Sequence, residues 1–292
     1  MAKGRELKGR IRSVENTRKI TRTMEMVATS KMKRAQDRVV AARPYAAALG
    51  EVLSRLNSPE LAERFPLLRR PARVRRAALV LMTSNRGLAG GFNANLIKEA
   101  RARVAELEAA GARVDVHVVG RKGIGYFRYV GRALAAERTD ITDRPTAEDA
   151  ASLVDTLMGE FVDGTLDAVY VVHAKFNSAL STPPATLQVL PVEPPSGAQT
   201  GARRAGTQRD YILAPSPEAI LTELLPLYVR NTVYRALVET AAAEQGARRT
   251  AMKSATDNAG EILNLLKRTY NRARQAQITQ EIAEIVGGAA AL

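Results

Sequence analysis

Cysteine and tryptophan are absent from this chain of 292 residues, and only 4% of its residues are aromatic. Without cysteine there is no disulfide, no thiolate nucleophile and no cysteine-ligated metal. That fits a reducing compartment. Scarce aromatics leave few stacking platforms for single-stranded nucleic acid. No apolar run approaches the roughly 20 residues that span a bilayer. The N-terminus is basic but lacks the apolar core of a signal peptide. The expectation is a chain made and kept in the cytoplasm, with any membrane attachment indirect. Proline is missing from both ends: all thirteen prolines lie from Pro44 to Pro226.

Positive charge is plentiful. The formal net charge is +14, which points to an acidic partner such as nucleic acid, an anionic membrane surface or an acidic protein surface. The charge is uneven. Residues 1–43 hold thirteen Lys or Arg against four Asp or Glu, "LRRPARVRR" (Leu68 to Arg76) adds five arginines, and Arg235 to Leu292 holds eight against six.

The proline-poor ends predict long helices. Leu7, Ile11, Val14, Thr21, Ala28, Met32, Ala35, Val39 and Ala42 recur at steps of three, four or seven, a narrow coiled-coil seam of mostly small residues. The helix is expected from about Glu6 to Leu56, with Pro44 the place for a kink or a break, and would be about 75 Å long. A second seam is expected between Leu227 and Val286: Val233, Leu237, Thr240, Ala247, Ala251, Ser254, Asn258, Ile262, Leu265, Thr269 and Ala276. Gly246 and Gly260 would let helices approach closely. A helix of this length needs an equally long partner for its stripe. The two ends of the chain are therefore expected to form an antiparallel pair.

The middle alternates strand and helix. Strands are expected at Arg76 to Asn85, Arg113 to Gly120, Leu166 to Phe176 and Ala185 to Val192, the last antiparallel. Helices are expected at Asn93 to Ala110, with Asn93 as N-cap, at Lys122 to Val130 and at Ala147 to Val162. This alternation predicts a mostly parallel, Rossmann-like sheet. The fold class is thus α/β, a long antiparallel coiled coil of terminal helices plus a central Rossmann-like domain. The expected divisions are residues 1–57, 75–215 and 216–292. "PPSGAQTGARRAGTQ" (Pro194 to Gln208) is an excursion with no assigned role.

Candidate chemistry is thin. "SNRGLAGGFN" (Ser84 to Asn93) joins a strand to a helix, where phosphate loops sit, but lacks the GK[ST] ending. Gly87, Gly90 and Gly91 suit a tight turn that lets the helix pack on the sheet. "GRKGIGYF" (Gly120 to Phe127) reverses the dinucleotide spacing and has no acidic ribose ligand. His117 and His173 lie in strands with no third ligand at a recognised spacing. No nucleophile motif occurs, so no catalytic residue, cofactor or metal is expected. Two further readings carry their own consequences. A basic coiled-coil nucleic-acid-binding protein would bind DNA with salt dependence. A Rossmann-type enzyme with helical arms would retain a cofactor in residues 75–215.

"NTRKITRTMEMVATSKMKRAQ" (Asn16 to Gln36), "SNRGLAGGFN" and "ATDNAGEILNLLKRTYNRARQAQITQEIAEIVGGAAAL" (Ala255 to Leu292) resemble the gamma subunit of the F-type ATP synthase, and the resemblance runs through the chain in order. It implies a non-catalytic rotor. In that family a terminal coiled coil threads a hexamer of α and β subunits. The α/β domain sits beside the epsilon subunit and rests on the membrane c-ring, and proton flow is coupled to ATP synthesis or hydrolysis at the β sites. It also implies that Met24, Arg248, Arg274, Gln275, Thr279 and Glu281 make rotor–stator contacts or couple the helices, and that Ile285, Val286 and Leu292 belong to a bearing tip. The cysteine pair of the thiol-regulated chloroplast form has no counterpart here. A missing transit peptide places the expected complex on the cytoplasmic face of a bacterial membrane.

Overall fold

A computed structural model describes residues 2–56, 64–178, 181–193 and 216–290. Helix α1 spans Ala2–Leu56. After a short 3-10 turn at Pro66–Leu68 come β1 (Arg76–Met82), α2 (Phe92–Ala109), β2 (Arg113–Val119), α3 (Arg121–Tyr129), β3 (Ala136–Arg138), α4 (Ala147–Val162), β4 (Ala168–Ala174), β5 (Pro184–Leu190) and α5 (Pro217–Ala290). The chain forms two compact units. One comprises Ser30–Ala247; the other joins Met1–Thr29 to Arg248–Leu292.

The Ser30–Ala247 unit is built on a five-stranded sheet of order β3-β2-β1-β4-β5. Its β1–β2, β1–β4 and β2–β3 pairs are parallel, and β4–β5 is antiparallel. Strands β1 and β4 are central and covered on both faces, which is why "AALVLM" and "AVYVVHA" are almost wholly apolar runs instead of alternating ones. Their residues divide between two cores. Ala77, Leu79 and Leu81 pack with α2, α3 and the α1 residues Met32, Ala35 and Val39. Ala78, Val80 and Met82 pack with α4 and with Leu221, Leu225, Val229 and Val233 of α5. Helix α4 starts at a capping box, in which Asp149 N donates to Thr146 Oγ1 at 3.1 Å and Thr146 N donates to Asp149 Oδ2 at 2.9 Å, a start encoded by the sequence itself.

Three features of this unit differ from expectation. The edge strand β3 was not anticipated: three residues, Ala-Glu-Arg, carry no alternation to detect. Helix α5 begins at Pro217 and continues through Pro226. Pro226 lacks the N–H that would reach back one turn, yet Leu225 and Val229 beside it are buried, and tertiary packing outweighs the local cost. Asn93 is not an N-cap. Gly91 holds that position, and the Asn93 amide turns back to the end of β1.

The other unit is an antiparallel helix pair. Glu15 meets Lys267 at 3.1 Å, and Thr21 meets Thr256 at 2.8 Å, so α1 and α5 run in opposite directions. On α1, Thr21 and Ala28 are buried and Leu7, Ile11 and Val14 half-buried, as the spacing predicted. On α5 the expected seam is buried or half-buried at Val233, Leu237, Thr240, Ala247 and Ala251 and out of phase beyond them. Ser254, Asn258, Ile262, Leu265, Thr269 and Ala276 are exposed. The buried and half-buried stripe runs instead through Met252, Thr256, Ala259, Leu263, Leu266, Tyr270, Ala273 and Gln277, at alternating steps of three and four, with Ala251, Ala255 and Gly260 half-buried at its edge. Close approach at Gly260 is not required either, since an added methyl would only reach ordinary contact with Arg18, 3.9 Å away. After Gln277 every side chain through Gly287 is exposed.

Candidate functional site

Doubly wound sheets hold their ligands at the carboxyl ends of the strands, where the strand order reverses. Here that point lies between β1 and β4. It is filled by the chain itself. Ala174 N, at the end of β4, donates to Thr240 Oγ1 of α5 at 3.2 Å, and the Thr240 hydroxyl faces Met82 Sδ, at the end of β1, at 3.9 Å. Thr240 is buried.

The two glycine-containing loops are tied to each other. A phosphate-binding helix start offers free backbone amides. At the start of α3 those amides are already engaged. Arg121 N donates to Asn85 Oδ1 at 3.1 Å, Lys122 N to Ser84 O at 3.2 Å and Gly123 N to Thr83 Oγ1 at 3.0 Å. Asn93 Oδ1 accepts from Ser84 N at 3.0 Å, and Asn85 Nδ2 donates to Thr139 O and Ile141 O. Gly120 has φ +98° and lies so close to β1 that an added Cβ would stand 2.2 Å from Thr83 O. Both conditions demand glycine. These glycines therefore serve the packing of one loop on the other.

The histidines do not combine. His117 stands opposite Val80 of β1, and Val80 stands opposite Val171 of β4. His117 and His173 are thus two strands apart, roughly 10 Å across the sheet. Burial lowers both imidazoles below the usual 6.5, against the raising influence of Asp115 on His117 and of Glu239 on His173. Both are neutral near pH 7. Among the described residues no group of three or more His, Cys, Asp or Glu is placed to hold a metal ion, and no helix is long and apolar enough to cross a membrane.

The helix pair presents a different kind of surface. Arg274, Gln275, Thr279, Glu281, Ile285 and Val286 are all exposed on the last stretch of α5, most of them beyond the half-buried seam; Met24 is half-buried and Arg248 buried. Leu292 lies outside the described residues. Polar groups near the end of α5 bond within their own helix: Gln277 Nε2 donates to Glu281 Oε1 at 2.9 Å and Gln280 Nε2 to Glu284 Oε1 at 3.0 Å. Between them stand large exposed apolar side chains: Ile262, Leu265, Ile278, Ile282, Ile285 and Val286 on α5, and Ile20, Met26 and Val27 on α1. Leu265 is 65% exposed and Ile285 72%. A long series of this kind marks an interaction surface. The sequence held the signal, since "ILNLL" (Ile262 to Leu266) carries two apolar stripes where a simple pair of helices needs one.

Comparison with known proteins agrees with this geometry. A family described as ATP synthase matches residues 3–292. The ATP synthase gamma chain of Gemmatimonas aurantiaca is 73% identical over 292 residues, covering 100% of this chain and 99% of that one. The gamma chain of Leptospira biflexa is 43% identical over 292 residues, covering 100% of both. Among solved structures, the chain resembles one in the Euglena gracilis mitochondrial ATP synthase, solved as OSCP/F1/c-ring in rotational state 3, with a TM-score of 0.68 at 18% identity, covering 99% of this chain and 94% of that one. It also resembles one in the central stalk/c-ring structure of the Tetrahymena thermophila enzyme, with a TM-score of 0.61 at 23% identity, covering 81% and 99%. The chain belongs to the ATP synthase gamma-chain family, the non-catalytic central-stalk subunits of that complex.

Proposed function

We propose that the chain turns as the rotor that couples proton translocation to ATP synthesis or hydrolysis, with nucleotide chemistry left to its partners. The observation that carries this reading is the helix pair of Met1–Thr29 and Arg248–Leu292, whose outer face carries a series of exposed apolar side chains among basic ones and whose terminal Gln and Glu groups bond within their own helix. A shaft that meets several equivalent sites in turn needs a surface that slides. A stator ion pair at every exposed polar group would favour one angle, whereas Gln280 and Glu284 bond to each other and need no stator partner. Charge still steers the encounter, because a basic shaft attracts acidic partner loops repeatedly and without a fixed register.

The partners are the α and β subunits of the catalytic hexamer, the epsilon subunit and the c-ring, with the complex on the cytoplasmic side of a bacterial membrane. Met24, Arg248, Arg274, Gln275, Thr279 and Glu281 make rotor–stator contacts or couple the helices, and Ile285, Val286 and Leu292 form the bearing tip. Residues 1–57 and 216–292 supply the shaft, and residues 75–215 the foot. Family membership leaves the nucleic-acid reading without support.

The test is purification from membranes through a tag on this chain, followed by observation of a probe fixed to it during ATP hydrolysis. Recovery of a nucleotide-binding hexamer with stepwise rotation of the probe is expected. Recovery of the chain alone, or with nucleic acid, overturns the proposal.

A further inference from the structure

In the Ser30–Ala247 unit a cavity of about 180 Å³ lies among Lys31, Arg34, Arg38, Asp143, Arg144 and Gln245. Four cationic side chains surround a single carboxylate. Part of the set is held in place. Lys31 Nζ contacts Asp143 Oδ2 at 2.7 Å, and Arg38 Nη1 donates to Asp143 O at 3.2 Å. Burial acts to raise the Asp143 carboxyl, but the hydrogen bond and charge of Lys31 outweigh it and hold the group ionised.

The rest of the set is open. Among the described residues Arg34 makes only long contacts, within its own helix, 3.4 Å to Ser30 Oγ and 3.5 Å to Ser30 O. Arg144 is exposed. Gln245 is 4% exposed and lines the buried wall of the cavity.

We propose that this cavity binds inorganic phosphate. Two guanidinium forks suit a tetrahedral oxyanion, which accepts paired hydrogen bonds from each. The amide of Gln245 adds a neutral donor at the buried wall. Asp143 identifies the anion further. Its Oδ1 is an acceptor, and hydrogen phosphate carries a P–OH to donate to it. Sulfate has the same shape and no proton at neutral pH, so it meets the carboxylate as charge against charge. The small cavity favours the free ion over a nucleotide.

The full-length chain is titrated with phosphate at constant ionic strength, by calorimetry and by phosphorus NMR line width. Sulfate, ADP and a short polyglutamate peptide are the comparison ligands. Wild type should bind one phosphate saturably and sulfate about tenfold more weakly, because one charge-assisted hydrogen bond is lost. The double variant Arg34→Gln with Arg144→Gln should lose phosphate affinity by tenfold or more. Both side chains are exposed, and an unchanged melting temperature would show that folding is intact. Asp143→Asn should narrow the phosphate-to-sulfate ratio towards one. Equal binding of phosphate and sulfate by wild type overturns the proposal. So does binding that the double variant leaves unchanged, or an absence of saturable binding. Tighter binding of ADP would show that the cavity takes a nucleotide phosphate, and displacement of phosphate only by polyglutamate would assign it to an acidic protein segment. Either result also overturns it.

Discussion

Thr21 and Thr256 lie 235 positions apart in the chain, yet their hydroxyls meet at 2.8 Å in the seam of the helix pair. Each also contacts a carbonyl of its own helix: Thr21 Oγ1 reaches Arg18 O at 3.1 Å and Thr256 Oγ1 reaches Met252 O at 2.8 Å. A hydroxyl has one proton. When Thr21 donates to Arg18 O, Thr256 donates to Thr21; when Thr256 donates to Met252 O, Thr21 donates to Thr256. Both arrangements leave the pair bonded. Both residues are 8% exposed, so a hydroxyl stripped of its neighbour loses a partner where water is scarce.

Thr256→Val should therefore destabilise the helix pair by about 1–2 kcal/mol, while Thr21→Val with Thr256→Val together should cost less than the sum of the single changes. The measurement is a double-mutant cycle by urea unfolding, followed by helix circular dichroism. Strict additivity would show that the two hydroxyls do not interact.

Two glycines, one capping α3 and one inside it, should respond in opposite directions. Gly120→Ala puts a methyl against Thr83 O at a positive φ and should cost roughly 3 kcal/mol or more, enough to reduce soluble yield. Gly125 lies inside α3 with nothing within 4 Å of an added Cβ. Gly125→Ala should stabilise by about 0.5–1 kcal/mol. Thermal melts of the two variants decide, and tolerance of Gly120→Ala would contradict the close loop packing.

Stability should fall below neutral pH. His117 and His173, the only histidines, are both held below the ordinary 6.5, burial being the first cause in each. The unfolded chain then binds protons more readily than the folded one. The stabilisation is complete above about 6.5 and is lost as the pH falls through 6.5 towards the folded values. The melting temperature should drop between pH 7.5 and 5.5. His173→Gln should flatten that slope in part, and His117→Gln with His173→Gln should remove most of it. A slope unchanged in the double variant would place the titrating group elsewhere.

Arg274→Ala and Glu281→Ala should change turnover and proton pumping together, or change the ratio between them, while tight nucleotide binding stays intact. Losing a charge-assisted hydrogen bond worth roughly 1.5–3 kcal/mol from one angular state alters the rate of leaving that state about tenfold or more. Inverted membrane vesicles with matched complex content allow hydrolysis, pumping and nucleotide binding to be measured on one preparation. Collapse of binding at a constant hydrolysis-to-pumping ratio would move these residues to a nucleotide site.

Much of the fold was legible because its signals are local. β1 and β4 follow from apolar runs and β2 from alternation, each bounded by turns, and the start of α4 is fixed locally by its capping box. The errors share a different origin. Pro226 looked like a border because the rule for proline is local, whereas the packing of Leu221, Leu225 and Val229 that carries α5 through it is not. β3 depends on pairing with Val119, His117 and Val118, which its own three residues do not announce. The seam of α5 was misphased because Ile262 with Leu265 and Leu263 with Leu266 offer equally good stripes. Only the partner helix distinguishes them, and the exposed pair is the one that faces outwards. Of the proposed contact residues, Arg274, Gln275, Thr279 and Glu281 came from family resemblance, since spacing alone marks none of them.

Thr240 gives the sheet an occupant that cannot diffuse away. A cofactor seated over the ends of β1 and β4 would bind and leave with its concentration, and the Ala174 amide would have its partner only for the fraction of time it stayed. A hydroxyl carried on the same chain has an effective concentration fixed by its tether. The bridge from Ala174 N to the end of β1 is therefore independent of dilution and of cellular metabolite levels. A nucleotide-type fold has in this way become a constitutive structural block, as stiff in a starved cell as in a fed one.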